Sequence, residues 1–423
     1  MKKYHKIISS VMASAMAVAL FAGCGNAADN GNAQADDNAA PAENAADSSN
    51  AGAENAETGG ETAATENNAG GVIKIGGVGP TTGSAAVYGL AVQNAAQLAV
   101  DEINANGGIN GVQIEFKFED DECDPEKSVN AYNTLKDWGM QMLVGSVTSG
   151  CSVAVAEKTA EDNMFQLTPS GSSVDCVKYD NAFRVCFSDP NQGMASAKYI
   201  GENAIASTVA IIYDSSDIYS SGIYEKFAAE AANQPFEIVS AEAFTADSKT
   251  DFSVQLQKAK DAGAELVFLP IYYTEASLIL SQASTLGYAP IFFGCDGLDG
   301  ILNVENFDTS LAEGVMLLTP FAADAEDELT KNFVAAYKEK FGDTPNQFAA
   351  DAYDAVYAIK AAGEKAGITP DMDMSAICDA MKAAMPQITL DGLTGTGMTW
   401  DVSGEPNKEP KAVKITNGVY TAM

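Results

Sequence analysis

The pattern of apolar and polar positions in this chain repeats from residue 72 onward. A short apolar run is followed by a polar loop and then by a stretch whose apolar residues recur at helical spacing. Residues 72–78 show the strand pattern, and Val92, Ala96 and Ile103 then mark one face of a helix. Further strands of this first series are predicted at 112–118, 140–147 and 164–168, with helices at 125–139 and 153–162.

A second series of the same kind follows. Its predicted strands are 182–187, 209–213, 236–244, 266–272, 291–294 and 315–320, and its helices are 219–232, 252–262 and 275–286. The chain then has a helical pattern over 327–385 and strand and turn signals over 397–419. Alternation of strands and helices predicts mostly parallel sheets covered on both faces. The length beyond residue 71 exceeds that of one compact core, so we expect an α/β protein with two lobes.

The N-terminus has the three parts of an export signal. Lysines are followed by a short apolar run over 7–23, and small residues precede Cys24. The apolar run is too short and too weak for a comfortable membrane span, so a retained N-terminal helix is the less favoured alternative. The Ala-Gly-Cys ending resembles the bacterial lipoprotein box, although Phe21 stands where that pattern usually has Leu. Residues 1–23 are therefore predicted to be a lipoprotein signal peptide, with acyl chains on Cys24 as the anchor.

Residues 24–71 are predicted to form a disordered acidic tether. This segment is rich in Ala, Asn, Gly, Glu and Asp, with neither Lys nor Arg and no aromatic residue, so it cannot build a core. Residues 72–423 contain 21 Lys and Arg against 49 Asp and Glu, a net charge of −28. A surface this acidic repels nucleic acid and anionic lipid, so neither is an expected partner. Solubility of an exported protein explains the charge.

The histidine and cysteine content excludes several kinds of site. His5 is the single histidine of the chain and lies in the predicted signal. Ser-His and Cys-His nucleophiles and His-bearing zinc sites are therefore not expected, and neither a metal nor a cofactor is predicted. No C-x-x-C pair occurs among the six later cysteines. In an exported protein Cys123 with Cys151, and Cys176 with Cys186, are candidate disulfides, but the sequence does not fix the connectivity.

Two segments rich in Ser and Thr follow successive predicted strands. The first runs over 144–152 and leads into a helix, and the second runs over 168–173. Hydroxyls and free N–H groups at a helix start suit an anion such as a carboxylate. One segment of this kind is usually only a helix cap. Two on neighbouring parallel strands indicate one crevice at the carboxyl ends of those strands.

Motifs along most of the chain resemble the branched-chain amino acid binding proteins of ABC importers. They are Gly79-Pro80, Tyr88-Gly89, residues 101–109 and 120–125, Thr168-Pro169-Ser170, Asn191-Gln192-Gly193, Leu286-Gly287, Phe293-Gly294, Thr344-Pro345 and Thr399-Trp400-Asp401. Each is weak alone, and together they are specific. The resemblance implies a type I periplasmic-binding fold, in which two lobes joined by three crossing strands close on a ligand.

The resemblance also implies roles for seven residues. Ser149 would hold a ligand carboxylate with help from Ser172, Ser170 would offer its carbonyl to the ligand ammonium, and Asp296 would supply the countercharge. Relatives often have Glu at the position of Asp296, and Asp is a shorter acid. The aromatic pocket positions are Tyr88, Tyr219 and Tyr272, with Tyr273 as the alternative to Tyr272. The family disulfide from the position of Cys123 falls by alignment on Thr148.

By the same likeness the chain crosses between lobes near Phe187, Pro320 and Gly397. The first lobe is then 72–187 plus 321–396, and the second lobe is 188–320 plus 397–423. The implied function is capture of a neutral amino acid, branched-chain or similar, and its delivery to ABC permease subunits, without catalysis.

The expected protein is a monomer that is exported and attached to the outer face of the cytoplasmic membrane through its lipid alone. Alternatives on the same fold are an amide or urea receptor and a sensory binding protein. A secreted hydrolase that uses carboxylates alone is disfavoured. Acidic ligands are also disfavoured, because Arg184 is the single arginine of the chain and lies in a predicted strand.

Overall fold

A computed structural model describes residues 71–423, which contain two sheets. The predicted signal peptide, Cys24 and nearly all of the predicted tether lie outside the described residues. The first sheet is entirely parallel, in the order β2-β1-β3-β4-β5. Its strands are β1 (Ile73–Gly79), β2 (Ile114–Asp120), β3 (Met142–Val144), β4 (Phe165–Thr168) and β5 (Ala182–Arg184).

The second sheet has the order β12-β11-β10-β9-β8-β6-β7. Strands β6 to β10 pair in parallel, whereas β11 and β12 are antiparallel additions at one edge. Its strands are β6 (Thr208–Asp214), β7 (Glu237–Phe244), β8 (Leu266–Leu269), β9 (Ile291–Gly294), β10 (Met316–Thr319), β11 (Lys411–Thr416) and β12 (Val419–Ala422). The predicted α/β architecture with two mostly parallel sheets is confirmed.

Ten α-helices cover the sheets in the described part of the chain. They are α1 (Ala86–Ala105), α2 (Pro125–Trp138), α3 (Ser149–Asp162), α4 (Asp189–Glu202), α5 (Ile218–Ala231), α6 (Ser253–Asp261), α7 (Tyr273–Leu286), α8 (Glu328–Phe341), α9 (Gln347–Ala366) and α10 (Met374–Ala384). The helical pattern over 327–385 is thus three helices, because Gly342 and Gly367 end α8 and α9 in left-handed conformations. Within the described residues, no helix has the length and apolar character of a membrane span.

Strand side chains are buried on both faces because helices pack on each side of both sheets. Ile73 and Ile75 of β1 have no exposed surface, and Phe268 of β8 is stacked on Phe227 of α5 with ring centroids 4.0 Å apart. Each such buried apolar side chain stabilises the fold by about 1.5–3 kcal/mol. This double burial explains why the strands appear in the sequence as continuous apolar runs.

Three chain segments run between the two sheets, and the predicted crossing positions lie on or beside them. Phe187 lies between β5 and α4, and Pro320 follows β10 directly. The segment that follows the predicted third crossing at Gly397 is bonded to β5 of the first sheet. The Trp400 indole N–H donates to the Arg184 carbonyl at 2.7 Å, and the Arg184 N–H donates to the Gly404 carbonyl at 3.0 Å. Residues 398–405 therefore belong with the first lobe.

A buried ion pair secures this third segment. The Lys408 Nζ lies 3.0 Å from an Asp351 carboxylate oxygen in α9, and both side chains are almost fully buried. The Thr394 hydroxyl is a further partner of Lys408 at 2.5 Å. Burial raises the pKa of Asp351 to about 6, and the Lys408 ammonium opposes that shift. Because a buried charge is costly without its partner, the pair fixes where the chain leaves the first lobe.

Gly89 allows the loop after β1 to pack on α1. A methyl group at this position would lie 1.9 Å from the Pro80 carbonyl oxygen, which is backbone and cannot rotate away. We expect Gly89→Ala to lower the free energy of unfolding by about 2 kcal/mol or more, measured by urea denaturation. Gly150→Ala is the matched control, because its methyl group would meet nothing closer than 3.8 Å in helix α3. Equal stability of the two variants would contradict this packing role.

Candidate functional site

The N-terminus of α3 presents a hydroxyl and free backbone N–H groups at the end of β3. The Ser149 hydroxyl oxygen accepts from the backbone N–H groups of Ser172 at 3.2 Å and Ser173 at 3.1 Å. With both lone pairs used in this way, the Ser149 proton is available for an external acceptor. The backbone N–H groups of Ser149, Gly150 and Cys151 have no acceptor among the described residues. This end of the helix can therefore bind an anion.

The loop after β4 forms the floor beside this helix start. The Ser170 hydroxyl donates to the Val147 carbonyl at 2.7 Å. This bond fixes the loop against the segment that follows β3. No N–H of the described residues donates to the Ser170 carbonyl. The Ser172 hydroxyl lies 3.4 Å from that of Ser149. Two hydroxyls and one free carbonyl thus converge on the first-lobe side of the cleft.

Asp296 occupies the opposite wall, directly after β9 of the second sheet. Its side chain is 2% exposed, and one carboxylate oxygen accepts from the Tyr219 hydroxyl at 2.7 Å. The Gly297 N–H donates to the same Tyr219 hydroxyl at 2.9 Å. A Cβ atom at position 297 would lie 2.6 Å from that oxygen, so glycine permits the close approach of the ring. The acid is therefore held in one orientation.

Four aromatic rings close the remaining sides of the cleft. Tyr219 stacks on Tyr272 at a centroid distance of 5.0 Å, and both belong to the second lobe. Tyr88 stands edge-on to Tyr272, with ring centroids 5.6 Å apart, and packs on Phe348 at a centroid distance of 4.1 Å. Tyr88 and Phe348 extend from helices of the first lobe. The rings make the walls between the hydroxyl floor and Asp296 mostly apolar.

Hydrogen bonds also join the two lobes across this cleft. The Tyr88 hydroxyl donates to the Gly297 carbonyl and lies 3.3 Å from the Tyr273 N–H, which donates to it. The Val87 N–H donates to the Tyr273 hydroxyl at 3.2 Å. The Thr274 hydroxyl donates to a carbonyl in the loop before α1, at 2.7 Å. The structure is therefore the closed form of the two lobes.

The seven residues predicted for the site all line one small cavity between the lobes. They are Tyr88, Ser149, Ser170, Ser172, Tyr219, Tyr272 and Asp296. The space among them is about 10 Å³, which holds no more than a water molecule. A groove of about 570 Å³ adjoins it and shares Thr148, Tyr219 and Tyr272 with it. Anything larger than water must therefore enter when the lobes separate.

Four further lining residues were missed by the sequence analysis. They are Val147, Thr148, Gly297 and Phe348. Val147 and Thr148 belong to the first Ser- and Thr-rich segment, and their place beside the predicted helix start is the signal that could have found them. Phe348 follows the helix cap Asn346, a signal that predicts a helix start but not the direction of the ring. Tyr273 does not line the cavity, because its hydroxyl faces the Val87 N–H.

Comparison with known proteins identifies the family. A family model described as periplasmic binding protein matches residues 72–418. The chain belongs to the periplasmic binding protein family. Leu/Ile/Val-binding protein homolog 3 of Brucella melitensis is 32% identical over 335 residues, covering 78% of this chain and 89% of the relative. The leucine-, isoleucine-, valine-, threonine- and alanine-binding protein of Pseudomonas aeruginosa is 30% identical, covering 74% and 82%.

Solved structures of related binding proteins have the same fold. The branched-chain amino acid transporter substrate binding protein of Streptococcus pneumoniae, solved with isoleucine, aligns with a TM-score of 0.76 at 30% identity and covers 83% of this chain and 98% of that one. A solute binding protein from Rhodopseudomonas palustris solved with benzoate has a TM-score of 0.74 at 19% identity, covering 84% and 96%, and shows the fold alone. The type I periplasmic-binding fold is confirmed.

All six described cysteines of this periplasmic binding protein are free thiols in the structure, and the two candidate disulfides stay predictions. The neighbouring Cys151 thiol lowers the pKa of Cys123. The Cys123 sulfur is also 3.5 Å from the Thr148 hydroxyl. The Cys176 thiol instead faces the Ser149 carbonyl at 3.7 Å. Among the described residues, no group of His, Cys, Asp and Glu is arranged to hold a metal.

Several carboxyl groups near the cleft of this binding protein are protonated more readily than usual. Burial raises the pKa of Asp296 to about 7, and the Tyr219 hydroxyl opposes that shift. Burial also raises the pKa of Asp217, the N-cap of α5, to about 6. Asp189 at the start of α4 is buried with neither carboxylate oxygen hydrogen-bonded to a described residue, and its pKa is raised well above the ordinary value. The cleft thus concentrates acids that lack cationic partners.

We expect these raised pKa values to make the protein more stable in mild acid. The folded state holds protons on Asp296 and Asp217 that the unfolded state has lost, so the stabilisation is complete below about pH 4 and is lost as the pH rises through 6 to 7. Urea denaturation should therefore give a smaller free energy of unfolding at pH 8 than at pH 5.

Asp296→Asn separates this effect from general charge repulsion. The variant should have a smaller difference between pH 5 and pH 8 than the wild type, because one buried titrating group is removed. Asp137→Asn, at an exposed position of α2, removes the same formal charge and should leave the difference nearly unchanged. A pH dependence that is the same in all three proteins would contradict the assignment to Asp296.

Proposed function

We propose that this protein is an extracytoplasmic receptor of an ABC importer that captures a neutral amino acid between its lobes. One observation carries the proposal. Hydroxyl and N–H donors on the first lobe face a buried carboxylate on the second lobe across a cavity with aromatic walls. This arrangement matches the two opposite charges of a zwitterion. The Leu/Ile/Val-binding relatives and the isoleucine-bound structure support the same ligand class.

The carboxylate of the amino acid would bind at the start of α3. Ser149 has a proton available because its oxygen already accepts two backbone N–H bonds. The unpaired N–H groups of the first helical turn and the helix dipole add further stabilisation. Ser172 lies beside Ser149 and would complete the donor set. Donors of this kind replace the water that the carboxylate loses on burial.

The ammonium group would lie between the Ser170 carbonyl and Asp296. The carbonyl has no N–H donor among the described residues, and the carboxylate is oriented by Tyr219. A cation beside Asp296 lowers the cost of ionising that acid, which burial alone makes unfavourable. Binding is thereby selective for molecules with a positive charge at this position.

The ligand side chain would pack among Tyr88, Tyr272 and Phe348. These rings offer apolar surface and no cation. The single arginine, Arg184, is fully buried in β5, where it donates to the Gly171 carbonyl at 3.0 Å and to Glu405 at 2.9 Å. The Arg184 guanidinium is therefore occupied by bonds within the protein. An acidic ligand side chain would find no cationic partner in the cleft. Neutral aliphatic amino acids fit best.

Hinge closure would trap the amino acid until a membrane permease collects it. The bonds of Tyr88 to the Gly297 carbonyl and the Tyr273 N–H form only when the lobes meet, so they stabilise the closed form. Attachment through lipid on Cys24 and the acidic tether would keep the receptor close to the permease. The delivered solute, the permease and the lipid anchor are parts of this proposal.

Replacing Asp296 tests the ammonium site. We expect Asp296→Asn to weaken leucine, valine or alanine binding by about tenfold or more in isothermal titration calorimetry, because the ammonium loses a buried charged partner. Binding of 4-methylpentanoate, which has the carboxylate and side chain of leucine without the ammonium, should be weak in the wild type and no weaker in the variant. Asp137→Asn is the matched control and should bind as the wild type does.

A leucine affinity that is unchanged in Asp296→Asn would contradict the pocket assignment. Tight binding of benzoate by the wild type, with no measurable amino acid binding, would favour a carboxylate receptor on this fold instead.

Replacing Tyr88 tests the role of closure. We expect Tyr88→Phe to keep the apolar wall and to weaken amino acid binding about three- to tenfold, because the closed form loses the hydrogen bonds of one hydroxyl. Small-angle X-ray scattering should show a smaller compaction on ligand addition than in the wild type. Tyr213→Phe, whose ring stacks on Tyr224 away from the cleft, is the matched control. Equal affinity and compaction in all three proteins would show that the hydroxyl has no part in closure.

A further inference from the structure

A second cavity lies between the lobes, behind the wall of the amino acid cleft. Its volume is about 290 Å³. The second lobe contributes the turn after β9 and the start of β12, and the first lobe contributes the connection between α8 and α9. The segment after β10, which joins the lobes, forms a third side. Any molecule held here would contact both lobes.

This cavity is connected to the cleft by a short hydrogen-bonded path. The Asp299 N–H donates to the Asp296 carbonyl at 2.9 Å. An Asp299 carboxylate oxygen, Oδ2, accepts from the Gln347 N–H of α9 at 2.8 Å. Gln347 precedes Phe348, which lines the cleft. The bond between Asp299 and Gln347 joins the lobes, so a ligand in contact with Asp299 acts on the same closed arrangement.

One buried acceptor beside this cavity has no hydrogen-bond donor. Asp299 lines the cavity and is 4% exposed, and its Oδ1 accepts no hydrogen bond from any described residue. The Tyr420 hydroxyl lies close to the Asp299 carboxylate, where it opposes the rise in pKa that burial causes, and it accepts from the Gly300 N–H at 3.0 Å. Because Asp299 Oδ1 is an acceptor, its missing partner is a hydrogen-bond donor.

The charge and walls of the cavity indicate an organic cation. Asp299, Asp324 and Asp343 face a single positive group, Lys338. Phe321 and Tyr420 contribute aromatic surface, which attracts cations. The volume is much larger than a metal ion, and the described residues contain no metal-binding cluster. A flexible ligand with ammonium groups and an apolar linker satisfies all of these features.

We propose that this interlobe cavity binds a small alkylammonium, a diamine in particular, and that its occupancy stabilises the closed form. The diamine supplies the donor that Asp299 lacks and balances the excess carboxylates. Because it contacts both lobes, it raises the affinity of the cleft for its own ligand, and that ligand raises the affinity for the diamine by the same factor. The coupling rests on the proposed function, whereas the diamine site does not.

Titration of the full-length protein with 1,4-diaminobutane tests the site. We expect it to raise the melting temperature, whereas 1,4-butanediol, which has the same length and no charge, leaves it unchanged at equal ionic strength. In calorimetry, diamine affinity should fall about tenfold in Asp299→Asn and about threefold in Asp324→Asn, whose side chain is exposed and makes no structural hydrogen bond. The second variant keeps the test valid if the first fails to fold.

Two further variants should differ from Asp299→Asn and Asp324→Asn in their diamine affinity. Lys338→Gln should bind the diamine more tightly, because it removes the positive charge from the cavity. Glu305→Gln, an exposed acid that does not line the cavity, should bind it as the wild type does. Equal stabilisation by diol and diamine, or equal weakening in Asp324→Asn and Glu305→Gln, would overturn the proposal.

The coupling is measured by titrating leucine with and without the diamine. We expect saturating diamine to tighten leucine binding about fivefold in the wild type. In Asp324→Asn the diamine concentration that gives half of this effect should be about threefold higher. Stabilisation by diamine together with absent leucine binding would refute the proposed amino acid function and leave the diamine site intact. Leucine binding without any diamine effect would refute the site alone.

Discussion

The cleft of this protein depends on a carboxylate that is buried without a cationic partner. Asp296 is nearly inaccessible in the closed form, and the Tyr219 hydroxyl is its principal hydrogen-bond donor. A charge in this position is unfavourable until an opposite charge joins it, which is why its pKa rises to about 7. Because the buried carboxylate lacks a positive partner, the cleft favours ligands that carry an ammonium group. The hydroxyls across the cavity then select molecules that also carry a carboxylate.

Closure and recognition use the same residues. Tyr88 is an aromatic wall of the cavity and also the donor that bridges to the Gly297 carbonyl of the other lobe. Asp296 and Asp299 belong to one turn, so the acid that faces the cleft is followed three residues later by the acid that accepts from the Gln347 N–H. A ligand that orders this turn therefore strengthens contacts between the lobes. The buried Lys408–Asp351 pair, in contrast, fixes the joining segment to one lobe.

The fold and most of the site could be predicted because their signals are local. Strands buried on both faces appear as apolar runs, and the two Ser- and Thr-rich segments follow neighbouring parallel strands, whose carboxyl ends meet at one edge. The bonds of Trp400 and Gly404 to Arg184 could not be predicted, because they join residues more than 200 positions apart. Phe348 was missed because a helix cap predicts where a helix begins and not which ring faces a cleft.

The sequence alone determined the alternation of strands and helices, the acidic surface, the absence of histidine after position 5 and the resemblance that selects the seven site residues. Only the tertiary structure decided which atoms remain unpaired. The free Ser170 carbonyl, the unsatisfied oxygens of Asp189 and Asp299 and the free thiols of Cys123 and Cys151 depend on distances between segments far apart in the chain. Local patterns encode burial and periodicity, whereas hydrogen-bond satisfaction is a property of the packed lobes.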